Sequence, residues 1–114
     1  MKIPDDIYCS PDELNLRLAA GEKTAVLFVE PWCPFCHQFL PEFVEFARKR
    51  DEEFRFLTVR LERGDDPLYE QFAIEVVPTV ILFDAAIPVS RLNGILGVGL
   101  EAGDLDHLAQ KEPA

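Results

Sequence analysis

Thr24-Ala25-Val26-Leu27-Phe28-Val29 constrains this chain more than any other stretch, because every position after Thr24 is apolar and no alternation leaves a wet side. Successive side chains of a strand point to opposite faces, so a strand of this pattern needs a hydrophobic layer above it and another below. Its β-branched and aromatic residues favour strand over helix at this length. A sheet with one solvated face is thereby excluded, and the rest of the chain must supply two covering layers. The 114 residues suit one domain spanning 1–114, a size that buries about two-thirds of its unfolded surface without staples. A hydrophobic fraction of 48%, with nine phenylalanines, provides the core despite a formal charge of -10.

Helical patterns stand on both sides of that strand. Ser10-Pro11-Asp12-Glu13 puts a hydroxyl before a proline, with Glu13 three residues on. This predicts a capped helix start with Leu14, Leu18 and Ala19 inward and Gly21 at the end. From 34 to about 50, Phe35, Phe39, Phe43, Phe46 and Ala47 recur at helical spacing, with Pro41 inside to kink the helix. Residues 54–61 read as a second strand, and Gly64-Asp65-Asp66-Pro67 as a turn into a short helix with Leu68, Phe72 and Ile74 inward. Stretches 80–83 and 89–92 read as an antiparallel hairpin with a short link, and 99–110 as a closing helix carrying Leu100, Leu105 and Leu108. Such alternation predicts an α/β sandwich in which a central mixed sheet is flanked by helices on both faces, the first strands parallel through right-handed crossovers. Reactive groups then belong at the carboxyl ends of the strands.

Charge narrows the classes of partner. Acidic residues outnumber basic ones 21 to 11, and the basic ones are scattered apart from Arg48-Lys49-Arg50; nucleic acid is therefore not an expected partner. Apolar runs fall far short of the ~20 residues of a membrane span. Three cysteines are too few for a secreted disulfide scaffold, and 1–10 carries acidic residues where an export signal needs a basic and then an apolar stretch. The reading is a cytoplasmic, soluble monomer without a membrane partner.

Trp32-Cys33-Pro34-Phe35-Cys36-His37 follows the buried strand directly. A Cys-x-x-Cys pair has four meanings: a redox couple, half of a metal site, a thioether haem anchor, or two unrelated buried thiols. At a helix start, unpaired N–H groups and the positive end of the helix dipole stabilise a thiolate. His37 completes the pattern of covalent haem attachment, but Met1 is the only methionine and no export signal is legible. Two sulfurs plus His37 would supply three of zinc's four ligands, and two chains could share a zinc ion or an iron-sulfur cluster; no second Cys/His pair lies nearby.

Further signals choose among these meanings. Pro41 lies eight residues after Cys33, Val77-Pro78-Thr79 precedes a hydrophobic strand, and Gly94 follows the last strand. With Trp32 to Cys36, these residues resemble the thioredoxin-like family over nearly the whole chain, most clearly over 26–94. The resemblance implies a thioredoxin fold and a thiol-disulfide oxidoreductase that works without a cofactor, through a Cys33-Cys36 redox disulfide and with no metal. It implies Cys33 as nucleophile, Cys36 as resolving thiol, a cis Pro78 packed on the dithiol, and Trp32, Val77, Pro78 and Gly94 as the substrate-binding surface. It also implies protein disulfides or dithiols as partners, with a reductase or glutathione as electron source. A non-catalytic adaptor on the same fold is the remaining alternative.

Two features depart from the family pattern. Thioredoxins proper carry a buried acid six residues before the first cysteine, where this chain has Leu27. Glu30, nearer the dithiol, is the candidate substitute, and Arg60 stands where the family often has a lysine. The second departure is Pro34-Phe35 in place of Gly-Pro, which resembles glutaredoxins and disulfide oxidants; the expected couple is less reducing than the thioredoxin reference of about -270 mV. His37 is a candidate for tuning the thiolate by charge, and Cys9 reads as a small, partly buried apolar residue.

Overall fold

The computed structural model describes residues 1–95, 99–100 and 102–110. Five strands form one sheet: β1 (Tyr8–Cys9), β2 (Thr24–Val29), β3 (Arg55–Arg60), β4 (Thr79–Asp84) and β5 (Ile87–Asn93), in the order β1-β3-β2-β4-β5. β1, β3 and β2 run parallel, whereas β4 and β5 are antiparallel additions, so the sheet is mixed as expected. The apolar stretch Thr24–Val29 is the central strand. All six residues of β2 are buried, with β3 on one side and β4 on the other.

Side chains of β2 divide by parity between two cores. Ala25, Leu27 and Val29 meet Phe39, Phe43, Leu105 and Leu108 of helices α2 (Pro34–Lys49) and α4 (Ala102–Gln110). Val26 and Phe28 meet Leu14 and Leu18 of α1 (Leu14–Leu18) and Leu68 of α3 (Pro67–Gln71). Aromatic rings fill both layers: Phe56 takes edge contacts from Phe43 and Phe46, while Phe72 bridges Phe28 and Phe83. Burial of these rings is the main stabilising term, since each removes 150–250 Å² from water.

Several local expectations are corrected. Ser10 does not cap a backbone N–H: its hydroxyl donates to the Glu13 carboxylate at 3.0 Å, and the chain enters through a 3-10 turn over Pro11–Glu13 before the five residues of α1. Ala19 is exposed. β1 escaped the sequence reading because two residues carry no periodicity, yet it buries Cys9 against the α1/α3 layer. The last helix starts at Ala102 rather than at 99, and Gly99 bridges back to Ile95 with a φ of +82°. Phe72 is half-buried rather than fully inward. The hairpin link is the two residues Ala85 and Ala86, both at positive φ.

Candidate active site

The carboxyl end of β2 leads through Glu30 and Pro31 to Cys33, the residue that caps α2. Pro34 occupies the first turn, where its missing N–H costs nothing. The Cys33 N–H donates to the Glu30 carbonyl (3.1 Å), and the Cys33 carbonyl accepts from Cys36 and His37 (3.1 and 3.2 Å). Both thiols are free. Cys33 is half-exposed, and its sulfur lies 3.8 Å from the Val77 carbonyl and accepts from the Cys36 N–H at 3.4 Å. Cys36, one turn on, is fully buried. Its thiol is pushed far up, chiefly by burial, with the adjoining Cys33 thiol and the charge of Glu30 adding to the effect and a backbone contact to Glu30 opposing it.

Elements remote in sequence close over the dithiol. The Val77-Pro78 peptide is cis, and the Gly94 N–H, directly after β5, donates to the Pro78 carbonyl at 2.8 Å. A Cβ at Gly94 would fall 2.6 Å from that oxygen, so only glycine permits this approach. Trp32 is 58% exposed beside Cys33, a surface residue rather than a core one. Phe35 does not join the core as its spacing suggests; it is half-buried against Gly99, where an added Cβ would come within 2.9 Å of the Phe35 Cβ. Pro41 lies within α2 and leaves the His37 carbonyl without its helical donor.

A cleft of about 240 Å³ opens beside Cys33, bounded by Glu30, Phe35, Tyr69, Glu75, Val77 and Ile95 among others. Glu30 sits at its rim with its carboxylate accepting a hydrogen bond from the Tyr69 hydroxyl. Burial, and then that carboxylate, push the Tyr69 phenol well above its ordinary value. Tyr69, Glu75 and Ile95 were not foreseen. Glu75 lies two residues before Val77 and Ile95 directly after Gly94, which is the one signal that would have found them, whereas Tyr69 arrives through the packing of α3.

Two expected neighbours face elsewhere. The Arg60 guanidinium pairs with Glu62 at 2.6 Å, donates to the Met1 carbonyl and lies over the Tyr8 ring, so its charge is spent away from the cleft. The exposed His37 ring donates to the Pro31 carbonyl at 2.6 Å and braces the loop instead of facing the thiols. Among the described residues no group of three or more His, Cys, Asp or Glu side chains is arranged to hold a metal ion. No helix among them is long and apolar enough to cross a membrane. Cys9 is buried away from the pair, its thiol raised mainly by desolvation.

The fold is met in known proteins. The family model described as Thioredoxin matches residues 7–101. Thioredoxin H4 of Arabidopsis thaliana is 24% identical over 95 residues, covering 83% of this chain and 79% of that one. A protein disulfide-isomerase of Drosophila melanogaster is 27% identical over 92 residues, covering 77% of this chain and 18% of that protein. This chain spans only 11% to 23% of the length of four curated relatives it matches. The crystal structure of Chlamydomonas reinhardtii thioredoxin f2 superposes with a TM-score of 0.79 at 24% identity, covering 92% of this chain and 94% of that one. Because the family model runs from before β1 to the threshold of α4, the chain belongs to the thioredoxin family.

Proposed function

We propose that this chain is a thiol-disulfide oxidoreductase acting on protein disulfides through Cys33 and Cys36. The observation that carries the reading is the asymmetry of the pair: an accessible sulfur at a helix cap, 3.8 Å from the Val77 carbonyl, with a buried partner one turn deeper. In the reductive direction the Cys33 thiolate attacks one sulfur of a substrate disulfide, and the other leaves as a thiolate. Before that attack the negative charge on the Cys33 sulfur meets the Cys36 N–H. Cys36 then loses its proton and attacks Cys33 within the mixed disulfide, releasing the second substrate thiolate. Two electrons pass to the substrate, and a Cys33-Cys36 disulfide remains for a dithiol reductase or glutathione to reduce. Trp32, Val77, Pro78 and Gly94 form the surface against which the substrate segment lies.

Cys36 is held neutral by its burial, so the second attack needs a proton acceptor. With Leu27 where an acid would stand, Glu30 takes that role, oriented by Tyr69. The Pro34-Phe35 pair between the cysteines, together with the N–H donated to the Cys33 sulfur, supports a couple less reducing than about -270 mV.

Insulin reduction by the protein with dithiothreitol tests the reading. Turnover is expected in the wild type, and Cys36→Ser should accumulate a mixed disulfide on Cys33; absence of both would leave a non-catalytic adaptor. Equilibration with glutathione tests the couple separately, and a potential at or below the reference overturns that part.

A further inference from the structure

The cleft beside Cys33 is too small for a cofactor-sized ligand, since such pockets begin at about 300 Å³. It has room for one side chain of a segment already held at the dithiol. Its walls are apolar where Phe35, Ile74, Val77 and Ile95 line it. Among the described residues its charge is of one sign: Glu30 and Glu75 line it, and no described Lys, Arg or His does. Tyr69 satisfies one oxygen of Glu30 without neutralising it. Exposed Glu75 makes no ion pair or hydrogen bond among the described residues. Arg91, which borders the adjoining depression with Glu75, directs its guanidinium at the Phe72 and Ala73 carbonyls and the Asn93 side chain.

We infer that this cleft selects substrate segments in which a basic side chain, Lys or Arg, lies within a few residues of the disulfide cysteine. The inference rests on the oxidoreductase reading and names its substrate class. An aliphatic stem would lie along Phe35 and Ile95 while the cationic head reaches Glu75 and Glu30, an arrangement that suits the amphipathic build of these side chains. A molecule with a formal charge of -10 adds a long-range field of the same sign, which speeds encounter with cationic partners and slows it with acidic ones.

The test uses the reduced protein and two disulfide-linked peptides of one sequence, with Lys or Glu two residues from the cysteine. Trp32 is the only tryptophan and adjoins Cys33, so its fluorescence follows single-turnover oxidation of the dithiol. Each rate is divided by that of dithiothreitol with the same peptide, which removes the effect of the charge on the peptide's own sulfur. At low salt the Lys peptide should react roughly 3- to 10-fold faster than the Glu peptide, the scale of one or two rim charge contacts. The ratio should collapse in 1 M salt, and Glu75→Gln should lower it at least twofold while leaving reduction of neutral hydroxyethyl disulfide unchanged. Equal rates, a faster Glu peptide, or a ratio indifferent to Glu75→Gln overturns the inference. No reaction with either peptide or with hydroxyethyl disulfide overturns the oxidoreductase reading instead.

Discussion

Glu30 and Gly94 bear on the site by different means, the first through its charge near Cys36 and the second through the room its missing side chain leaves. The Glu30 carboxylate is close enough to raise the Cys36 thiol and is held by Tyr69, so its proposed work is in the second half of exchange, when Cys36 must ionise. Glu30→Gln should leave the first attack by Cys33 near wild-type speed and slow release of the second substrate thiol at neutral pH by roughly a hundredfold, the lower end of general-base effects. Rapid-quench mass spectrometry of the mixed disulfide checks this, and Glu30→Asp should recover part of the loss. Gly94 is set by steric room, because its missing side chain lets the backbone come within 2.8 Å of the Pro78 carbonyl. A methyl there would sit 2.6 Å from that oxygen. Gly94→Ala should therefore cost about 1–3 kcal/mol, as overpacking does, read as a lower urea midpoint, and should slow insulin reduction by displacing Pro78.

At the scale of elements, the β4–β5 hairpin closes with Asp84 paired to Ile87 and only Ala85 and Ala86 between them, at φ of 52° and 69°. Two left-handed residues in a two-residue loop make a type I′ turn, which favours Asn-Gly. Alanine in that region is disfavoured by roughly 1–2 kcal/mol. Replacing the pair by Ala85→Asn with Ala86→Gly should raise stability by about 1 kcal/mol, a rise in Tm of roughly 4–8 °C for a domain near this size. Ala73, at φ 51° where α3 ends, is a second such site, and Ala73→Gly should act in the same direction. Neither position bears a turn signal in the sequence. Nothing in Asp84-Ala85-Ala86-Ile87 marks a reversal, and only the pairing of two flanking strands brings it about.

At the scale of the whole molecule, three buried or half-buried groups among the described residues are held neutral: Cys36 and Tyr69 well above their ordinary values and Cys9 above its own, each chiefly by desolvation. A raised acid binds its proton more tightly folded than unfolded, so its contribution is complete below the unfolded pKa and lost as pH climbs beyond it. Unfolded thiols titrate near 8.5 and tyrosine near 10. The reduced protein should therefore be flat in stability from about pH 6 to 8 on account of these groups and fall progressively above about pH 8.5. Urea titrations across that range check the slope, which Cys36→Ser and Cys9→Ser should each make shallower.

Local pattern sufficed for the layers. The apolar run of β2 and the helical spacing of Phe39, Phe43 and Phe46 state which sides must be buried, and burial on both faces of one strand leaves few architectures. The dithiol at the carboxyl end of that strand was legible for the same reason, since Cys33 and Cys36 are neighbours in the chain. Tertiary structure alone decided what surrounds them. It brought Tyr69, Glu75 and Ile95 to the cleft, turned Phe35 out of the core onto Gly99, and spent Arg60 on Glu62. Those outcomes depend on where α3 crosses the sheet and how β5 registers against β4. Periodicity records that a side chain is buried or exposed, but which remote surface it then meets is set by the packing of elements tens of residues apart.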